Sequence, residues 1–121
     1  MTTTDTATVD APKADEAKLP EEDEALHCAE CGHQITHTKH ARKKGGQFQH
    51  TCVNPAGVLY QIGCFAEADG CREVGPESDD FSWFAGYTWQ VTACADCTTH
   101  LGWRFWSPDD SFYGLILKKL S

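Results

Sequence analysis

Two tetrapeptides carry the clearest chemistry in the chain, Cys28-Ala29-Glu30-Cys31 and Cys94-Ala95-Asp96-Cys97. A Cys-x-x-Cys turn brings two thiolates within reach of one ion, and two such turns complete a tetrahedral shell of four sulfurs. Sixty-two residues separate the inner cysteines, so one Zn2+ per chain would tie the start of the folded part to its later half. Four thiolates leave a zinc ion no open coordination position, which points to a structural ion and not a Lewis acid. Gly32 suits the tight backbone of the first knuckle, and Thr98 after the second pair does not repeat it. A thioredoxin-like redox pair would open a helix in a βαβ unit, for which there is no pattern here. Two disulfides would need an oxidising compartment. Cys52, Cys64 and Cys71 are irregularly spaced and read as small buried apolar residues.

The second constellation is aromatic: Phe81-Ser82-Trp83-Phe84-Ala85-Gly86-Tyr87-Thr88-Trp89, then Trp103-Arg104-Phe105-Trp106. All four tryptophans of the chain lie in these two runs. In a strand, Trp103 and Phe105 share one face because side chains alternate. Trp89 falls in a candidate neighbouring strand, and the loop with Trp83 and Gly86 can fold over that face. The rings either fill a small core or line a box. A box would hold a cation by its ring faces, with Asp79 and Asp80 nearby. It could equally hold a cyclic amide, whose donor and acceptor edge would meet the backbone of the Phe81-to-Trp83 segment.

The elements that must position these residues are short strands. The sequence predicts them at Gln47–Val53, Val58–Cys64, Tyr87–Ala93, Leu101–Ser107 and Phe112–Leu117. Turn signals separate them at Gly45-Gly46, Asn54-Pro55, Gly75-Pro76 and Ser107-Pro108-Asp109-Asp110. No segment shows a sustained period of 3.6, so helix is limited to a turn or two around Phe65–Gly70. The fold class is all-β, in a single small domain over residues 25–121. Residues 1–24 hold eight acids against Lys13 and Lys18, with Val9 and Leu19 the only large aliphatics after Met1. They read as a disordered acidic leader. With 18 acids against 10 bases in 121 residues, net −8, a nucleic-acid binder is disfavoured. The Lys39, Arg42, Lys43 and Lys44 cluster reads as a solvated loop. No apolar run is long enough to cross a bilayer, and no basic n-region with an apolar h-region marks a signal peptide. The expected location is cytoplasmic.

The combination of Asn54-Pro55, the Phe81-to-Trp89 run, both cysteine pairs, His100-Leu101-Gly102-Trp103-Arg104-Phe105 and Tyr113-Gly114-Leu115 resembles the cereblon thalidomide-binding (CULT) domain family. In its brevity the chain looks most like the stand-alone bacterial members. The resemblance covers about residues 25–121. It implies two antiparallel β-sheets pinned by a four-cysteine zinc, an arrangement called a β-tent. It also implies a cage of Trp83, Trp89 and Trp103, with Phe105 as a fourth aromatic and Asn54 and Pro55 beside its mouth. Backbone groups of Phe81 and Trp83 would bond the ligand, and Ser82 lies with them. The implied ligands are glutarimides such as thalidomide-type drugs, uracil-like rings, and cyclic imides at modified protein C-termini. Phe81 stands where animal members have His, and Ala85 where they have Pro. The regions that bind a ubiquitin-ligase adaptor have no counterpart, so that function is not carried over. Trp106 has no cage counterpart.

The resulting expectation is a small-molecule binding module without chemistry of its own. Ser82 has no base adjacent in sequence to activate it. Two alternatives stand beside it. One is a methionine-sulfoxide-reductase-like zinc enzyme, which would need a reactive cysteine in its pocket. The other is an aromatic-cage reader of methylated cations.

Overall fold

The computed structural model describes Leu19, Pro20 and residues 22–121. The expected leader otherwise lies outside the described residues. Its final residues are tied down: the Thr38 hydroxyl donates to the Glu22 carbonyl and accepts from the Glu24 N–H. The Thr38 N–H donates in turn to the Glu24 carbonyl at 2.9 Å.

Eight antiparallel strands follow: β1 (Ala25–His27), β2 (Gln34–His37), β3 (Gln49–Val53), β4 (Leu59–Phe65), β5 (Cys71–Ser78), β6 (Thr88–Cys94), β7 (His100–Ser107) and β8 (Asp110–Ile116). β1 and β2 form a small two-stranded sheet, and the other six form a second sheet in the order β3-β4-β8-β7-β6-β5. The all-β expectation with two antiparallel sheets holds. Five of the six large-sheet strands fall where the sequence places them, each bounded by the turn residues that separate it from its neighbours. β1, β2 and β5 were not anticipated. β1 and β2 are too short to show a period, and β5 is mostly polar and exposed.

Two expectations need correction. Phe65–Gly70 contains no helical turn: Phe65 ends β4, and the donors after it are drawn to neighbouring segments. The Ala66 N–H goes to the His40 carbonyl and the Gly70 N–H to Ile35, and the one local bond, from the Cys71 N–H to the Ala68 carbonyl, closes a single turn that leads into β5. Gly75-Pro76 is not a turn between strands but an irregularity within β5, between Val74 and Ser78. β5 is an edge strand, where proline's missing donor costs no ladder bond, and Gly75 takes the left-handed φ of 77°.

Burial divides into two clusters. Near the cysteine pairs, Ile35, Phe48, Phe65, Leu101 and Leu115 pack with Cys28 and Cys94. Around the aromatic runs, Ile62, Cys64, Phe112 and Ile116 pack with Trp103 and Phe105. β7 and β8 approach closely here: a Cβ on Gly102 would sit 2.1 Å from the Gly114 carbonyl oxygen. That contact seats Trp103 beside a residue with no side chain, since Gly114 is its partner in β8.

Candidate functional site

The two Cys-x-x-Cys turns are built alike. In the first, the Cys28 N–H donates to the His33 carbonyl and the Gly32 N–H to Cys28. In the second, the Cys94 N–H donates to the Thr99 carbonyl and the Thr98 N–H to Cys94. The fifth residue is left-handed in both, with φ of 81° at Gly32 and 67° at Thr98. The second knuckle therefore repeats the first in backbone although not in residue type, which corrects the sequence expectation. Threonine's β-branch makes that φ costly, and its hydroxyl answers by bonding the Cys97 carbonyl.

The four sulfurs lie within 4.8 Å of one another. Cys28 Sγ is 3.7 Å from Cys97 Sγ, and Cys31 Sγ is 3.6 Å from Cys94 Sγ. Tetrahedral corners around an ion with Zn–S bonds of about 2.3 Å are about 3.8 Å apart, so this donor set fits zinc. Thr99 assists: its hydroxyl and N–H stabilise the Cys97 thiolate, holding that thiol down at about 6.

The aromatic site lies at the far end of β6 and β7. Trp89 is paired with Phe105, and Val91 with Trp103, across the two strands. Directly opposed residues project to one face, so these four side chains form a two-by-two patch. The loop between β5 and β6 brings Trp83 onto it, 4.7 Å from Trp103 and 6.4 Å from Phe105 between ring centroids. Together with Asn54, Pro55, Asp80 and Phe81 they line a cavity of about 320 Å3. Trp103 and Phe105 are 8% and 1% exposed, while Trp83 and Trp89 are half-buried.

Polar groups at this cavity are apportioned between side chain and main chain. The Trp83 indole N–H donates to the Val53 carbonyl at 2.9 Å, and that of Trp89 to the Asp80 carbonyl at 2.8 Å. Both donors are thereby spent within the protein. The main chain of Phe81 and the N–H of Trp83 take no partner among the described residues. Phe81 itself sits at φ 58° with its ring 77% exposed, a sparsely populated conformation for a large side chain.

No protein-family model matches the chain. Protein cereblon of Danio rerio is 36% identical to it over 53 residues, 44% of this chain and 12% of that protein. Protein cereblon of Drosophila grimshawi is 31% identical over 101 residues, 74% of this chain and 15% of that protein. Protein cereblon of Drosophila persimilis is 30% identical over 105 residues, 78% of this chain and 17% of that protein. The chain carries a cereblon-like domain. It spans under a fifth of the length of these curated relatives.

Within the cereblon-like domain, most residues expected at the cage converge on it: Asn54, Pro55, Phe81, Trp83, Trp89, Trp103 and Phe105 all line the cavity. Ser82 does not. Its hydroxyl turns back onto the loop, donating to the Phe84 carbonyl at 3.0 Å. Asn54 is partly committed as well, because its Oδ1 accepts from the N–H groups of Ala56 and Val58. Of the two acids placed near the box by sequence, Asp80 lines the cavity; sequence reasoning missed Val91 in the lining, and Tyr60 and His100 behind it. Tyr60 sets its ring edge-on to Trp103 at 5.1 Å, and His100 does so at 4.9 Å. Tyr60 could have been found from its place in the Tyr60, Ile62, Cys64 alternation. Trp106, outside the cavity, lies beneath the Arg104 guanidinium.

The remaining reactive groups of the domain are engaged elsewhere. Burial pushes the Cys52, Cys64 and Cys71 thiols up to about 12, as expected of apolar packing residues. In the basic segment, Arg42 grips the Asp110 carboxylate with two hydrogen bonds and lies over Phe112. Lys44 caps the Tyr87 ring. A separate cleft of about 400 Å3 holds His33, His37, Lys39, His40 and Asp69. His37 is committed there, accepting from the Lys39 N–H through Nδ1. Among the described residues, only the four knuckle cysteines converge closely enough to hold a metal ion, and no helix is long and apolar enough to cross a membrane.

Proposed function

We propose that this cereblon-like domain is a binding module that takes a small cyclic imide or amide into the cage of Trp83, Trp89 and Trp103. Glutarimide, thalidomide-type drugs and uracil-like rings belong to this class, as do cyclic imides at modified protein C-termini. The observation that carries the reading is the apportioning of polar groups. Three tryptophans and Phe105 surround a cavity in the size range of small-ligand sites, with the indole donors of Trp83 and Trp89 already bonded. A ligand there meets aromatic surface on its sides, and its amide edge meets the unengaged main chain of Phe81 and Trp83. Backbone reading suits a ring that offers N–H and C=O together.

A structural zinc held by Cys28, Cys31, Cys94 and Cys97 completes the proposal. When bound, it supplies a closed tetrahedral anchor and no reaction centre. Binding without turnover is favoured over the reductase alternative because the three cysteines outside the knuckles carry raised thiol pKa values, the reverse of a reactive thiolate. A reducing cytoplasm suits four zinc-bound thiolates.

One observation favours a second reading. Asp80 lines the cavity, and a carboxylate beside ring faces suits a methylated ammonium. Parallel NMR titrations of the zinc-loaded chain with glutarimide, uracil and trimethyl-lysine decide between the two. Saturable indole shifts with glutarimide or uracil alone are expected. Saturation by trimethyl-lysine alone would transfer the site to the cation reading, and silence from all three would make the tryptophans a core.

A further inference from the structure

The four knuckle sulfurs differ in access. Cys31 is exposed and Cys97 half-buried, whereas Cys28 and Cys94 are 1% and 0% exposed. Two separations between the knuckles are short, Cys31 to Cys94 at 3.6 Å and Cys28 to Cys97 at 3.7 Å, within a cluster whose four sulfurs all lie within 4.8 Å of one another. Each accessible sulfur thus has a buried sulfur of the opposite knuckle as its near neighbour. We propose that a hydroperoxide converts this ligand set into two cross-knuckle disulfides, Cys31–Cys94 and Cys28–Cys97, releasing the metal while the fold and cage persist. The inference rests on the zinc reading of the knuckles and not on the cage reading.

The chemistry balances with peroxide as the only added reagent. The accessible Cys31 thiolate attacks one peroxide oxygen, the O–O bond breaks, and hydroxide leaves as water after protonation, giving a sulfenic acid. Cys94 Sγ then attacks the Cys31 sulfur. The S–S bond forms, the S–O bond breaks, and a second hydroxide leaves. Two sulfurs lose one electron each and one hydrogen peroxide gains two. Cys97 and Cys28 repeat the sequence with a second peroxide. Once the ion has lost its anionic ligands, each pair must close from its present separation to about 2.05 Å.

The pairing decides what survives. A cross-knuckle bond joins the same two regions that the ion joined, the turn after β1 and the turn after β6. The backbone bonds inside each turn, such as Cys28 N–H to His33 and Cys94 N–H to Thr99, need not break. Closure within a knuckle would instead cut that tie. A third possibility is Cys71, which stands directly opposite Cys94 in the β5–β6 ladder. A bond there would staple two strands already paired.

The test uses the full zinc-loaded chain and hydrogen peroxide. Metal release is followed with a chromogenic chelator, bonds are mapped by mass spectrometry of a non-reducing digest, and fold is read from near-ultraviolet circular dichroism. The expected result is two peroxides consumed per zinc released, peptides linked 31–94 and 28–97, an unchanged aromatic signal, and reversal by dithiothreitol with added zinc. Cys71→Ala should alter none of these. Links within each knuckle, a link to Cys71, sulfinic products, loss of the aromatic signal, or no metal release at millimolar peroxide would each overturn the proposal. Imide titration of the oxidised chain is separate, so a failure of the cage reading leaves this result readable.

Discussion

Trp83→Ala and Trp103→Ala form a pair that separates cage from core. Both side chains line the same cavity, but they stand differently in the fold. Trp83 is half-buried on a loop and makes one hydrogen bond, to the Val53 carbonyl. Its ring meets Tyr60, Trp103 and Phe105 between 4.7 and 6.4 Å. Such a bond is worth about 0.5–1.5 kcal/mol net, and partly solvated ring contacts add a similar amount, so its removal should cost about 2 kcal/mol of stability. Trp103 is 8% exposed and wedged among Tyr60, Trp83 and His100. Its truncation belongs with buried aromatic deletions at roughly 3–5 kcal/mol. Urea denaturation of the zinc-loaded proteins should therefore place the Trp103→Ala midpoint about 1–3 M below that of Trp83→Ala, for a slope near 1 kcal/mol/M. Binding should not follow that order. Each variant removes one wall of the cage, a loss of about 2 kcal/mol or more, so both should weaken glutarimide at least roughly 30-fold by fluorescence or calorimetric titration. A folded Trp83→Ala protein that binds within threefold of the parent would refute the reasoning, since the ligand would then sit elsewhere.

Metal removal by a strong chelator, or Cys28→Ala, should cost more than either tryptophan change, with loss of the folded circular dichroism and proton signals, because metal binding and folding are linked. The Asp110 carboxyl is held down at about 2, first by the Arg42 hydrogen bonds and then by Tyr87. A depressed carboxylate adds stability that is complete above its unfolded value of about 4 and lost as pH falls through about 2. Acid titration of thermal stability should therefore steepen between those limits, and Asp110→Asn should flatten it. Gly32→Ala should destabilise by about 1–2 kcal/mol through φ alone, since a Cβ there meets nothing within 4 Å. Thr98→Gly should be neutral or raise stability by up to about 1 kcal/mol, as read by thermal melting.

Much of this site could be read from residue types because its parts announce themselves locally. Paired cysteines at fixed spacing imply a knuckle wherever they occur, and Trp103 with Phe105 share a face in any strand. The cross-strand partners of those residues were less visible. Trp89 opposite Phe105 and Val91 opposite Trp103 depend on register, which is set by contacts distant in sequence. Ser82 illustrates the converse. Its neighbours are cage residues, yet its hydroxyl serves the loop, because a short polar side chain bonds its own backbone readily. β5 escaped detection because a polar edge strand is held by its ladder and not by an apolar face, and the Phe65–Gly70 segment misled because its donors find partners in β2 and the turn after it. Thr98 shows a backbone requirement met by a residue that does not advertise it.

The position of Cys94 at the end of β6 has a consequence for the aromatic patch five residues away. In a strand, a shift of one residue exchanges the two faces completely. Anchoring Cys94 fixes β6 against β5, whose pairing runs unbroken from Cys71 opposite Cys94 to Val74 opposite Val91. Against β7 the ladder shifts register between Thr92 and Ala93, so the parity that turns Trp89 and Val91 toward Phe105 and Trp103 is set on the far side of that irregularity. The two ends of β6 are thus phased separately against β7, the knuckle on one side of the shift and the aromatic patch on the other.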